Sequence, residues 1–466
     1  MRYVSTRGRA PALDFEGALL AGLASDGGLY VPESWPTLST EEIAGLAGRS
    51  YEDAAAAVMR PFLGDAFPDG AFERLIAEAY AGFGHAARAP LVQTGPSDWV
   101  LELFHGPTLA FKDFAMQLIG RLFEAALARR GERLTIVAAT SGDTGAAAAR
   151  AFAGLDLVDV FILFPDGGRV SEVQRRQMTT LGAANVHALS VAGDFDACQA
   201  LVKAMFADAT FRTDVRLGAV NSINWARVLA QAVYYVTAAV ALGAPERRVS
   251  FSVPTGNFGD ILAGDVARRM GLPIERLVIA TNANDILHRT LETGRHDKAG
   301  VAPTSAPSMD IQVSSNFERL LFELYDRDAG AVRGLMAELK EAGGFALSQG
   351  VLDRLRAGFA SGRAGEAEVA AEIARMRRES GYVLDPHTAC GTHAARAARG
   401  DASVPMVTLA TAHPAKFPDA VEAACGVRPA LPPRMADLYD REETMTPVPD
   451  DLSAVEALIR ERARAT

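Results

Sequence analysis

Six short runs of apolar, largely β-branched residues recur through the chain: "LTIVAA" (134–139), "DVFILF" (159–164), "VHALSV" (186–191), "VSFSVP" (249–254), "RLVIAT" (276–281) and "PMVTLAT" (405–411). Runs of this kind read as strands covered on both faces, and the alanine-rich stretches between them as helices. Strands joined through helices imply parallel βαβ units and an α/β fold. At 466 residues the chain has room for two or three packed units of roughly 100–200 residues each. The expectation is a core of two open parallel-sheet lobes, one early and one later in the chain, with a ligand crevice between them at the carboxyl ends of their strands.

Ahead of that core, residues 1–95 carry helical spacing with turn punctuation at "SDGGLYVPESWP" (25–36) and "GDAFPDG" (64–70), predicting a mostly helical N-terminal domain. The catalytic core is then 96–445, and 446–466 form a C-terminal tail with an exposed helix capped by Asp450 or Asp451. Hydrophobic residues at 49% and charged residues at 22% fit a soluble globular enzyme. A net charge of −10 without a basic face argues against nucleic acid as a partner. The longest apolar stretch, 232–244, is short of the ~20 residues a membrane span needs. No secretory signal is read at the N-terminus, and a cytoplasmic location is expected. Three isolated cysteines, Cys198, Cys390 and Cys425, suggest neither a disulfide framework nor a zinc site. His387 and His393 lack the spacing of a helical ligand pair, so no metal is expected and both read as core or surface histidines.

Two strand–turn–helix segments carry chemistry. In "SVPTGNFGDILAGDVARRMG" (252–271) a turn built on Gly256 and Gly259 leads into a helix near Asp260. Glycines let successive amides face one point, and the helix N-terminus adds partial positive charge, which makes a phosphate cradle. A plain tight βα turn reads from the same residues. In "IVAATSGDTGAAAARAFAG" (136–154), the hydroxyls of Thr140, Ser141 and Thr144 and the amides of the helix start suit a carboxylate. Ser141 or Asp143 as a simple N-cap is the alternative, and the charge of Asp143 would repel an anion unless it points aside or carries a proton. Lys112, set among Ala110, Phe111 and Phe114 in "HGPTLAFKDFAMQ" (105–117), either reaches water or sits partly desolvated. In the second case its amine loses proton affinity and suits a Schiff base. With a phosphate cradle downstream, an aldehyde cofactor carrying a phosphate, pyridoxal 5'-phosphate, meets the description.

Taken together, "HGPTLAFKDFAMQ", "ATSGDTGAAA", "AVNSINWARVLAQ" (219–231), "SMDIQVSSNFERLLFEL" (308–324), "DPHTACG" (385–391) and "LATAHPAKFP" (409–418) resemble the threonine synthases, in the branch with an N-terminal "DGGLYVPE" extension. The resemblance spans nearly the whole chain, in order. It implies the second structural class of pyridoxal-phosphate enzymes, shared with tryptophan synthase β subunits. Lys112 stands where the family has its Schiff-base lysine. Gly256, Asn257, Phe258 and Gly259 match the loop for the cofactor phosphate, and Thr411 matches the hydroxyl residue that meets the pyridine nitrogen. Asp143 falls near the cofactor, in a turn where the wider class has asparagine.

The reaction implied is conversion of O-phospho-L-homoserine and water to L-threonine and phosphate, with Lys112 also moving the α and β protons. The substrate carboxylate is expected on Thr140, Ser141 and Thr144. Its phosphate is expected on Asn224 and Arg227, with Lys416 as an outside candidate and a solvated Arg227 as the alternative. Rival readings are a phospho-lyase or dehydratase giving a 2-oxo acid, and a non-catalytic cofactor-binding protein. A monomer or homodimer is expected. Asp113 reads as a helix-start acid directed away from Lys112, because a carboxylate touching that amine would raise its proton affinity.

Overall fold

The structure is a computed structural model that describes residues 1–68, 70–166, 170–218 and 220–464. Ala219, the first residue of the "AVNSINWARVLAQ" stretch, lies outside the described residues, as do the last two residues of the tail. The six apolar runs are strands, and they divide between two sheets. A five-stranded sheet runs in the order Thr446–Val448, Val186–Val191, Val158–Pro165, Leu134–Ala139, Leu217–Gly218, with every neighbouring pair parallel. A six-stranded sheet runs Phe359–Arg363, Ile274–Thr281, Val249–Pro254, Met406–Ala410, Asp98–Glu102, Leu91–Gln93, parallel except for its last pair. Val158–Pro165 and Val249–Pro254 are buried at every position, as strands covered on both faces must be.

The two sheets are not simply early and late. The larger sheet starts with 91–102, the chain then leaves to build most of the smaller one, and it returns at 249. Parallel neighbours need a long crossover, and here the other lobe serves as part of it. The tail differs from expectation too. Thr446–Val448 pairs in parallel with Val186–Val191, and the helix Leu452–Arg462 buries Val455 and Ile459 against Leu189, Val191 and Leu201. Asp451 is its N-cap, accepting from Ala454 N at 2.8 Å. The helix is half-buried because its apolar spacing, 455 to 459, finds a partner face that local sequence could not reveal.

The N-terminal helices Phe15–Ala21, Tyr51–Leu63 and Ala71–Tyr80 share one apolar core with the main body, in which Tyr51, Phe62 and Tyr80 pack with Phe114, Trp225 and Tyr234. Buried positions 51, 54, 55, 58, 59, 62 and 63 give Tyr51–Leu63 the stripe that makes this possible. Polar anchors accompany it. Glu318 accepts from Thr6 Oγ1 at 2.6 Å and pairs with Arg7, while Arg319 donates to Tyr30 O at 3.0 Å. At the centre lies the helix Trp225–Ala241, buried on nearly all sides, which accounts for the apolar stretch 232–244. Among the described residues no helix is long and apolar enough to cross a membrane.

Candidate active site

Between the lobes, loops at the carboxyl ends of strands from both sheets close on one cleft. Phe111, Lys112, Thr144, Arg227, Gly256, Asn257, Phe258, Gly259, Asp260, Ser308, His387 and Thr411 all line it. Lys112 is the first residue of the helix Lys112–Arg130, reached from the strand Asp98–Glu102 by a loop in which Leu109 adopts the left-handed conformation (φ 62°). That loop is stitched to the one carrying Thr411: Phe111 N donates to Thr411 O at 2.9 Å and His413 N to Leu109 O at 3.0 Å. A left-handed leucine costs roughly 1–2 kcal/mol and persists because these bonds and full burial over-determine it.

The glycine loop follows the strand Val249–Pro254 and opens the helix Gly259–Arg269, with Phe258 again left-handed (φ 64°). A Cβ on Gly256 would come within 2.7 Å of the Ser308 carbonyl oxygen, so only glycine lets these two segments approach. Ser314 Oγ donates to Gly256 O at 2.6 Å, and Asn316 N and Nδ2 donate to Asn257 O at 3.1 and 3.0 Å. The loop is therefore held from behind by side chains of the "SMDIQVSSNFERLLFEL" stretch.

On the lysine side, Lys112 is buried, with Nζ 3.3 Å from both Asp143 Oδ2 and Ser308 Oγ. Burial lowers its proton affinity, Asp143 acts against that, and Lys416 and Arg227 add to the lowering. Burial would push Asp143 up, but Lys416, whose Nζ lies 2.6 Å from Oδ1, and then Lys112 hold its carboxyl well below the usual range. Gln174 Nε2 also donates to Asp143 Oδ1, at 2.8 Å. Asp143 is thus ionised and matched, which answers the difficulty its charge posed for an anion site. Asp113 is the first-turn acid of the same helix and does not pair with its neighbour. It is fully buried and turns back to accept from Thr108 N and Oγ1, each at 2.7 Å. Burial, opposed by Thr108, raises it to about 6.

On the glycine-loop side, Arg227 is buried, not solvated, and its Nη1 has no protein partner. Burial draws the guanidinium down to about 10. Asp260 accepts from Tyr234 and Tyr235 hydroxyls through Oδ1, at 2.5 and 3.0 Å, while Oδ2 is buried without a partner. Burial raises it to about 7 against the effect of the two hydroxyls.

Several expected roles change. Asn224 is fully buried and is the N-cap of the helix Trp225–Ala241: Oδ1 accepts from Ala226 N at 3.0 Å and Nδ2 donates to Leu19 O at 2.8 Å. It does not line the cleft, so the expected phosphate contact gives way to a capping role. Lys416 has no exposed surface and donates to Thr108 O at 2.8 Å, beneath the cleft floor rather than in it. Thr140 Oγ1 accepts from Gly142 N and Gly145 N at 2.9 and 2.8 Å, shaping the turn. Ser141 and Thr144 stay partly exposed there; neither Ser141 nor Asp143 caps the helix Asp143–Phe152, where Gly142 takes that position. Sequence reasoning misses Ser308, His387, Gln174 and Asp260 as site residues. His387 Nε2 accepts from Ser308 N at 3.2 Å, and its Nδ1 meets Asp385 Oδ1 at 2.9 Å, which holds the ring in place from both nitrogens. A signal for two of them exists: Asp385 stands two residues before His387, and Ser308 opens a motif.

A buried amine with lowered proton affinity, an unpartnered buried guanidinium and a glycine-lined helix N-terminus in one cleft fit an aldehyde that carries a phosphate. Residues 86–342, more than half the chain, match the profile of the pyridoxal-phosphate dependent enzymes. The protein is of that class, with the tryptophan synthase β-like fold. The flanking segments narrow the class, since residues 2–80 match the threonine synthase N terminus and 388–459 the threonine synthase C-terminal profile. The threonine synthase of Pseudomonas aeruginosa is 55% identical over 98% of both chains. A crystal structure of pyridoxal-phosphate-bound threonine synthase from Brucella melitensis is 59% identical with a TM-score of 0.98, covering all of both chains. The yeast threonine synthase structure is 41% identical with a TM-score of 0.94, over 99% of this chain and 98% of that one. The chain belongs to the threonine synthase family.

Proposed function

We propose that the protein converts O-phospho-L-homoserine and water to L-threonine and phosphate, with Lys112 as the amine that meets the cofactor. The observation that carries this is the burial of Lys112 beside an already matched carboxylate, in the cleft that also holds the glycine loop. Pyridoxal phosphate, when bound, supplies the electron sink that makes the α and β protons of an amino acid removable. Gly256, Asn257, Phe258 and Gly259 would hold its phosphate, and the Thr411 hydroxyl would meet its ring nitrogen. As a free amine, Lys112 Nζ takes the α proton and then the β proton, which lets phosphate leave from the γ carbon. One proton then goes to the γ carbon, which becomes the methyl group, water adds its hydroxyl at the β carbon, its remaining proton leaving with the phosphate, and Lys112 returns a proton to the α carbon.

Arg227 holds the substrate phosphate, because it lines a cleft with few other cations, leaves Nη1 without a protein partner and can clamp a phosphate with two parallel bonds. Ser141 and Thr144 hold the substrate carboxylate at the start of the helix Asp143–Phe152. The same reading places the protein in the cytoplasm as a monomer or homodimer, which light scattering on the purified protein decides for assembly. Purified protein given O-phosphohomoserine should release threonine and phosphate in equal amounts. Predominant release of 2-oxobutyrate would point to a phospho-lyase instead, and absence of a borohydride-fixed peptide containing Lys112 would remove the central assignment.

A further inference from the structure

Beneath the cleft floor lies a cation that none of these steps uses. Lys416 sits on the short turn Pro414–Lys416, has no exposed surface, and approaches Asp143 Oδ1 at 2.6 Å while donating to Thr108 O at 2.8 Å. Lys112 meets the other oxygen of the same carboxylate, and at the longer distance of 3.3 Å. Two lysines therefore divide one aspartate, and the closer contact belongs to the one with no access to substrate.

We propose that Lys416 is a positioning residue for the reaction: it claims Asp143, so that Lys112 faces a carboxylate whose charge is already matched and keeps its amine free of a proton. The inference rests on Lys112 being the amine that meets the cofactor. With Lys112 neutral, the buried Lys416 and Asp143 cancel. With Lys112 protonated, the same interior carries a net positive charge close to Arg227, which a low-dielectric site disfavours. Without Lys416, Asp143 and Lys112 would form a one-to-one buried ion pair, and a lysine in such a pair is a poor nucleophile. The other groups that act here are Arg227 on Lys112, His387 on Asp143, Asp260 across the cleft, and Asp113, on which Lys416 also acts; none of them sits on the turn that carries Lys416.

The test uses the full-length protein freed of cofactor, mixed with pyridoxal phosphate across a pH series, with borohydride trapping at short times and the Lys112 peptide read by mass spectrometry. The pH midpoint of the trapping rate reports the free-amine fraction of Lys112, and the titrations of pyridoxal phosphate itself are common to every variant. Lys416→Met should raise the midpoint by about one unit, making trapping roughly tenfold slower at pH values below it. Lys416→Arg, which keeps the cation, should stay near the original midpoint. Asp143→Asn should lower the midpoint, and Asp143→Asn combined with Lys416→Met should fall between the two single variants. An unchanged or lowered midpoint in Lys416→Met overturns the proposal. If Lys416→Met alone does not fold, equal midpoints in Asp143→Asn and the double variant overturn it, since removing the cation must then be felt. Trapping at a lysine other than Lys112 overturns instead the reading on which the proposal rests.

Discussion

Two buried carboxylates border the same cleft and are moved in opposite directions from the usual carboxylate range. Asp143, on the lysine side, has two lysine amines within 3.3 Å and is held well below the usual carboxylate range. Asp260, on the glycine-loop side, has only the hydroxyls of Tyr234 and Tyr235 and rises to about 7. Burial pushes both the same way. What separates them is whether cations or neutral donors fill the first contact, so the charge at each side of the cleft is set by neighbours rather than by depth. An ionised Asp143 keeps a lysine in place without adding net charge. A carboxyl that protonates near neutrality avoids a fixed negative charge beside the loop assigned to a phosphate.

The strongest test separates chemistry from charge balance. Lys112→Ala leaves Asp143 paired with Lys416, so the fold should survive while threonine formation drops by about 10²–10⁴-fold, the range for loss of a general base, measured by product release at saturating substrate. Wild-type turnover in that variant would break the assignment. Next in size, Asp143→Ala strands the buried ammonium of Lys416 and should cost about 3–5 kcal/mol in denaturant unfolding, whereas Asp143→Ala with Lys416→Met should recover a large part of it. Equal losses in both variants would show that charge matching is not what Asp143 provides.

A smaller effect belongs to the other carboxylate. Because Asp260 is raised in the folded state, its contribution to stability is fully present below the unfolded carboxyl pKa and is lost as pH rises through about 7. Asp113, raised to about 6, acts in the same direction. Asp260→Asn keeps an acceptor for the tyrosines and removes its share, so the decline in stability between pH 5 and 8 should be shallower than in the unaltered protein by on the order of 2 kcal/mol. An unaltered pH profile would mean that Asp260 ionises normally. The smallest change is expected at neither carboxylate. Thr411→Ala removes one neutral hydroxyl from the cleft wall and should retain the cofactor, shift its near-visible absorbance and slow turnover roughly two- to tenfold. An identical spectrum would remove the contact between Thr411 and the ring nitrogen.

Much of this cleft is legible in the residue order. Lys112 stands out because an amine amid Ala110, Phe111 and Phe114 needs a reason, and the turn at Gly256 and Gly259 because glycine after a buried strand marks a close backbone approach. Arg227 and Asn224, three residues apart, are indistinguishable there as phosphate ligands. Folding puts one at the cleft with an unpartnered nitrogen and consumes the other as a helix cap. Lys416 can be named from the chain but not placed.

The amino-acid order alone specifies the elements: apolar runs buried on both faces, the stripe of Tyr51–Leu63, the glycine turn and the one lysine that opens a buried helix. These are set by spacing within a few residues, where periodicity and backbone sterics act. The partnerships come only with the folded chain. Lys416 meets Thr108 across 308 positions, Ser308 reaches His387 across 79, and Asp143 meets Lys112 across 31. Proton affinity depends on desolvation and on charges a few ångströms away, and no local pattern encodes which distant side chain will supply them.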